Sequence, residues 1–259
     1  MGGTARRPPG VMVREVREAT MSTISEVGTD IFRVNLELEP DFDVSCFVIR
    51  DEAPTLVETG FRKAYQDTYD AVRRVIDPRG LRYIVVPHWE GDEAGALEPF
   101  LGQAPHALPV GSPIGAMTTL PEVGDRAPLA LEEGDELDLG EHRLVALITP
   151  YVPTLDGMLA YEEATGTLFA SDVFATPTLG GRAVSDGDDS DAMIGFYETV
   201  GVFPSREHLD AALDKIEALE PDALACHHGS VKGGRARPYL RTMREQDVTG
   251  VTSWNPMRE

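Results

Sequence analysis

Val85-Val86-Pro87-His88-Trp89-Glu90-Gly91-Asp92-Glu93-Ala94-Gly95-Ala96-Leu97 leaves an apolar run, presents one histidine and three carboxylates in six positions, and then returns to small and apolar residues. Such a density of donors is the pattern of a metal site. If the stretch after Val86 is extended, residues two apart point the same way. His88, Glu90 and Asp92 then converge on one point, and Glu93 turns to a second point at the start of a following helix.

The flanking sequence has the alternation of strands and helices that would deliver such a loop. "DIFRVNLEL", "VSCFVIR" and "APTLVETG" alternate as strands from about Val27 onward, with turn residues between them. "AYQDTYDAVRRVI" carries apolar residues at helical spacing, and "LRYIVV" is a buried strand running into the donor stretch. The second half has the same grammar. "EEGDELDLGEHRLVALITP" reads as a hairpin turning at Leu139-Gly140-Glu141, and "GMLAYEEATGTLFASD" as a hairpin turning at Ala164-Thr165-Gly166. "REHLDAALDKIEALEP" is an amphipathic helix, "DALACHHG" a last short strand, and "VSDGDDSDAMIG" a loop expected over the site. Two halves of strands and helices predict an α/β sandwich, with two sheets inside and helices outside.

The chain has 259 residues, 42% of them hydrophobic, enough for one large domain with a sizeable core. Residues 1–20 are Arg-, Gly- and Pro-rich without periodicity and are expected to be a disordered arm, with 25–245 as the domain and 246–259 as a tail. Forty-four acidic against 23 basic residues give a formal net charge of −21, which repels phosphate backbones and argues against nucleic acid as a partner. The basic residues are arginines apart from Lys63, Lys215 and Lys232. No run approaches the roughly 20 apolar residues of a membrane span, and no secretory leader is visible, so a cytoplasmic protein is expected. Cys46 and Cys226 lie in apolar strands, where they fit a reducing compartment and neither is placed as a nucleophile.

The strand followed by His-x-Glu-x-Asp-x-x-Gly, the later "EGDELDLG", the hairpin ending in "LFASD" and the terminal "HHG" together resemble the metallo-β-lactamase superfamily over about residues 25 to 245. That resemblance implies an αββα sandwich, with two internal mixed sheets flanked by helices. Zinc hydrolases of the superfamily carry His-x-His-x-Asp-His at this place. A glutamate in the second position is similar instead to the flavodiiron branch, His-x-Glu-x-Asp-His-x-Gly, whose metal pair is iron. His88, Glu90, Asp92 and Gly95 are in register with it, and Glu93 stands where the branch has a second histidine. The resemblance implies Asp172 as the carboxylate between two metals and His228, directly before Gly229, as the last ligand. His227 is then a neighbour or an outer group. Where the family has one more histidine, aligning Thr149-Pro150 and Asp156-Gly157-Met158 puts Pro153.

The implied set of His88, Glu90, Asp92, Glu93, Asp172 and His228 has two nitrogens and four carboxylates, an oxygen-rich environment better suited to iron or manganese than to zinc. Glu90 and Asp172 are the residues expected to act in catalysis. A single metal, or none, remains an alternative to a pair. Each residue also has a plainer reading: His88 as a core or capping histidine, Asp172 as a turn residue, Glu93 as a favourable charge in a helix's first turn. Tyr151 and Glu162 read as hairpin surface rather than replacement ligands, although Tyr151 is near enough to Pro153 to substitute. Trp89 is expected to pack against the loop, and His106, His142 and His208 lie in polar or turn contexts.

Three functions fit: a non-haem iron oxidoreductase acting on dioxygen or a related small oxidant; a metal-dependent hydrolase of an ester, lactone or thioester; and a binding protein that senses oxygen or nitric oxide without turnover. Glu90 favours the first and third, because added carboxylates stabilise higher metal oxidation states. Flavodiiron proteins carry a flavodoxin domain after the lactamase-like one. With the chain ending at Glu259, no flavin is expected in it, and electrons are expected from an external donor or the substrate. A homodimer is the assembly to be tested.

Overall fold

The computed structural model describes residues 21–39, 42–177, 182–234 and 236–250. The expected arm at 1–20 and most of the expected tail, 251–259, lie outside them.

Alternation along the strands builds four layers. In the first sheet, β1 (Met21–Gly28), β2 (Ile31–Glu39), β3 (Phe42–Ile49) and β4 (Thr55–Val57) are antiparallel, and β5 (Tyr83–Val85), β6 (Leu108–Gly111) and β7 (Leu129–Ala130) continue it in parallel. The second sheet has the order β12-β14-β13-β11-β10-β9-β8. It comprises β8 (Glu136–Asp138), β9 (Arg143–Ile148), β10 (Met158–Glu162), β11 (Thr167–Ser171), β12 (Val184–Ser185), β13 (Ala223–Cys226) and β14 (Val231–Gly233). β11 pairs in parallel with β13, which makes this sheet mixed as well.

On β3, Phe47 and Ile49 face the partner sheet, while Val44, Cys46 and Val48 face the helices. On β11, Phe169 faces inward and Leu168 and Ala170 outward. The two inward phenylalanines meet edge to face at 5.4 Å between ring centroids, joining the sheets. Outside the first sheet, α1 (Tyr65–Val72) and α2 (Leu97–Gln103) bury Ala71, Val72, Leu97 and Phe100; the short α3 (Pro113–Thr118) follows β6. Outside the second sheet lie α4 (Ser190–Val200), α5 (Arg206–Leu219) and α6 (Arg237–Glu245), with Met193, Tyr197, Leu209, Leu213, Ile216, Leu240 and Met243 buried. The αββα sandwich is therefore as the sequence implies, and both expected hairpins, their turns and the helix at 206–219 are present.

Three expectations are corrected. The stretch 184–195, read as a loop, holds β12 and the first half of α4. Its acidic, glycine-rich start hides a helix whose Met193 and Tyr197, four apart, share one buried face. Five strands rather than the four expected lead to the donor loop, because β1 is a half-exposed edge strand with weak alternation. The chain after Glu245 is no loose tail as far as Gly250: Val248 is buried, and the Gly250 N–H donates to the Phe203 carbonyl at 2.8 Å.

Candidate metal centre

The donor loop is hooked in place from both sheets. The Met158 N–H donates to the Pro87 carbonyl at 2.8 Å, and the Trp89 N–H to Asp156 Oδ2 at 3.1 Å. The loop is turn-rich rather than extended: the Ala94 N–H donates back to the Glu90 carbonyl at 3.0 Å, and α2 begins only at Leu97. Glu93 therefore lies ahead of the helix, fully buried, and is not a first-turn surface charge. Its carbonyl accepts from Thr59 N at 2.6 Å and Gly60 N at 3.2 Å, which clamps the turn to the end of β4. A Cβ on Gly95 would collide with the Gly91 carbonyl, so this close turn requires glycine. Trp89 is partly buried against the α1/α2 core rather than only against its own loop.

Three sequence-distant segments, the loop after β5 and the ends of β11 and β13, bring the implied ligands together. His88 Nε2 lies 3.9 Å from Glu90 Oε1, 3.6 Å from Glu93 Oε1 and 3.7 Å from Asp172 Oδ2. His228 Nε2 lies 3.4 Å from Asp92 Oδ2 and 3.7 Å from Asp172 Oδ1. The two oxygens of Asp172 thus face different histidines, as a carboxylate between two ions would. Among the described residues, two groups of donors are close enough to hold a cation: Asp92, Glu93, His227 and His228, and His88, Glu90 and Glu93.

His88 Nε2, both Glu93 oxygens, Asp172 Oδ1 and His227 Nε2 are buried without a hydrogen-bond partner among the described residues. Buried polar atoms without partners are costly. Five of them aimed at one region fit cations at the centre of the group, and the mix of imidazole and carboxylate fits iron or manganese.

The ring nitrogens facing away from the centre are held. His228 Nδ1 donates to the Asp43 carbonyl at 2.6 Å, and since a carbonyl only accepts, the proton sits on Nδ1 and the Nε2 lone pair is free. His227 Nδ1 lies 2.9 Å from Glu58 Oε2, and His88 Nδ1 lies 3.2 Å from Ser171 Oγ. The sequence reading missed this support. Glu58 terminates an apolar strand, and Asp43 lies in a buried network with Arg33. The Arg33 guanidinium, 2% exposed, donates to Asp43 Oδ2 at 3.0 Å and to the Gly229 carbonyl at 2.7 Å. Tyr197 is a further missed residue: its hydroxyl donates to the Asp172 carbonyl at 2.7 Å and accepts from Ala175 N at 2.9 Å. A charged or hydroxyl-bearing side chain on an otherwise core-facing position was the only available signal.

Electrostatics follow from burying so much like charge. Burial, reinforced by Asp172, Asp92 and Glu58, pushes the Glu93 carboxyl well above the ordinary carboxylate range. Burial also raises Glu90, against the lowering effect of His88. For Asp92, burial is outweighed by the facing imidazoles of His228 and His227, so its pKa is lowered. Burial would lower His227, but the Glu58 carboxylate overrides it and brings the ring up to about 9. A field that favours a proton on these groups favours a cation between them.

Glu58, Tyr151, Ser171 and Phe174 all have positive φ, between 49° and 70°. At Glu58, Ser171 and Phe174 this backbone strain lies next to the donor residues or the groups that hold them, as functional sites show. The 149–157 segment closes on itself, with Tyr151 N donating to the Thr154 carbonyl at 2.7 Å, and Pro153 supplies no nitrogen donor. Tyr151 is exposed, its ring 4.7 Å from that of His208. Glu162 is no surface residue: it is fully buried and accepts from Ala164 N, Thr165 N and the His142 ring, whose Nδ1 is 3.0 Å away. His142 is therefore a buried structural partner rather than a turn histidine.

Comparison with known proteins agrees with this architecture. A protein of Thermosynechococcus vestitus designated diflavin flavoprotein A 1 is 27% identical over 265 residues, covering 96% of this chain and 44% of the relative. Rubredoxin oxygen:oxidoreductase from Desulfovibrio gigas superposes with a TM-score of 0.78 at 20% identity, over 86% of this chain and 61% of that one. The 1–254 fragment of diflavin flavoprotein A 5 from Nostoc superposes with a TM-score of 0.75 at 18% identity, over 89% of this chain and 96% of the fragment. This chain spans about a quarter to a half of the length of its curated relatives. The profile of the ODP family beta lactamases matches residues 42–229, and the chain belongs to that family as a metallo-β-lactamase-like domain of the flavodiiron branch.

Proposed function

We propose that the protein is an iron-dependent oxidoreductase acting on dioxygen or nitric oxide, with His88, Glu90, Asp92, Glu93, Asp172 and His228 holding two iron ions. The observation that carries this reading is the convergence of buried, partnerless donor atoms, four of them from this set, in a centre dominated by carboxylates. Iron bound there would supply one-electron chemistry and a binding point for a diatomic oxidant. The residues themselves do the rest. Asp172 presents one oxygen to each half of the centre. Glu90, with its side chain 46% exposed, joins solvent to the buried donors and is the route by which protons for the reduction arrive. Asp43, Glu58 and Ser171 keep the histidine rings oriented.

Electrons come from an external donor in this reading. A reducing, cytoplasmic setting fits the two buried free thiols, Cys46 and Cys226, and among the described residues no helix is long and apolar enough to cross a membrane. Metal analysis of the purified protein, followed by mixing the anaerobic ferrous form with oxygenated buffer, tests the proposal. Two irons per chain and oxidation within seconds support it. Stoichiometric zinc with esterase activity would favour the hydrolase, and reversible binding of oxygen or nitric oxide without turnover would favour a sensor.

A further inference from the structure

His227 is in an unusual position for a residue adjacent to a ligand. It is completely buried, its Nδ1 is fixed at 2.9 Å from Glu58 Oε2, and its Nε2 has no hydrogen-bond partner. That nitrogen faces Glu93, 3.9 Å from Oε1. One donor atom each from Asp92, Glu93, His227 and His228 lies within 4.8 Å of the others. This is near the span across a first-row ion with bonds of about 2.0–2.3 Å. A carboxylate on the far nitrogen of a ligating histidine is the usual device for orienting the ring and raising its basicity. Glu58 stands in that relation to His227, held there by a positive φ of 62° and a hydrogen bond from its N–H to the Val85 carbonyl at 2.9 Å.

Two consecutive histidines can both face the centre because the chain leaves the sheet between them. β13 ends at Cys226, the His227 N–H still donates to the Ser171 carbonyl at 2.9 Å, and Gly229 turns back with φ +84°. Their rings lie 4.6 Å apart at 73°.

Building on the metal-centre reading above, we propose that His227, oriented by Glu58, ligates the second metal together with Asp92, Glu93 and His228. The nitrogen absent from position 93 is thereby returned from position 227. Glu93, the residue common to both donor groups, would then be able to offer an oxygen to either ion. The site has three imidazoles rather than two.

The test is ferrous iron binding under anaerobic conditions, with chelator competition, on wild type, His227→Ala, His227→Gln and Glu58→Gln. Wild type should bind two ions. Both His227 variants should keep one ion and release the other at least tenfold more readily, and Glu58→Gln should weaken one of the two by about 10- to 100-fold. If the His227 variants fail to fold, protein labelled with ¹⁵N-histidine and loaded with zinc decides the matter. Three metal-shifted imidazole nitrogens support the proposal and two overturn it. Folded His227 variants that bind two irons with wild-type affinity would overturn the role of His227 and leave the metal centre standing. Wild type that binds neither metal would overturn both.

Discussion

Replacing Asp43 by asparagine keeps the shape of the side chain and removes its charge from a closed network. Asp43 Oδ2 accepts from Arg33 Nη2 at 3.0 Å and Asn35 Nδ2 at 2.6 Å, and both oxygens lie 3.2 Å from Gly229 N. Arg33 and Asp43 are both almost wholly buried, and burial already pulls the Arg33 pKa down against the opposing pull of Asp43. Two unit charges at 3.0 Å attract by about 5–6 kcal/mol at an effective dielectric of about 20. Removing one member of a buried pair costs about 3–5 kcal/mol, because the remaining charge loses its compensation. At about 2–4 °C per kcal/mol for a chain of this size, Asp43→Asn should lower the melting temperature by about 6–20 °C. The measurement belongs on metal-free protein, since bound metal adds stability by mass action. Adding Arg33→Met to Asp43→Asn removes the stranded charge and should recover part of the loss. In the metal-loaded protein, the backbone carbonyl of Asp43 that orients His228 should shift, weakening metal binding by about 10- to 100-fold. A loss below about 1 kcal/mol, or a double variant no more stable than Asp43→Asn alone, would refute the reasoning.

Glu162 is predicted to stabilise the protein above the ordinary carboxylate range. Burial would raise its pKa, but bonds from Thr165, His142 and Ala164 lower it. A lowered folded pKa means a contribution fully present above about pH 4.3, the unfolded value, and lost as pH falls through the folded one. Glu162→Gln should therefore cost about 1.5–3 kcal/mol at pH 7, with the gap to wild type closing toward pH 3; thermal melts at both values check this, and a gap independent of pH would refute it. Glu90→His moves that position toward the zinc-hydrolase pattern. It should bind zinc more tightly and, loaded with iron, oxidise more slowly than wild type in stopped-flow mixing with oxygen; equal rates would mean that Glu90 does not tune the metal.

The sequence by itself determined what is local in the chain. Alternation along β3 and β9, the 3.6-residue period of α5 and the turn chemistry at Gly140 and Gly166 act over a few residues, so they are readable in one dimension. The donors His88, Glu90, Asp92 and Glu93 are legible for the same reason, because six consecutive positions carry them. Asp172 and His228 became candidates only through resemblance. What tertiary structure alone decided are the pairings across long separations. Glu58 meets the His227 ring across 169 residues, and Arg33 meets the Gly229 carbonyl across 196. No local period marks such pairs, and a lone charge in an apolar strand gives no sign of its partner. The helix α4 was hidden similarly, since its acidic beginning reads as loop until Met193 and Tyr197 find the second sheet. Adjacent histidines show the limit most sharply. In a regular strand only one of His227 and His228 could face the centre, and both do so because the strand ends at Cys226 and the left-handed turn at Gly229 redirects the backbone, a geometry enforced by packing against Thr176, whose carbonyl leaves no room for a Cβ.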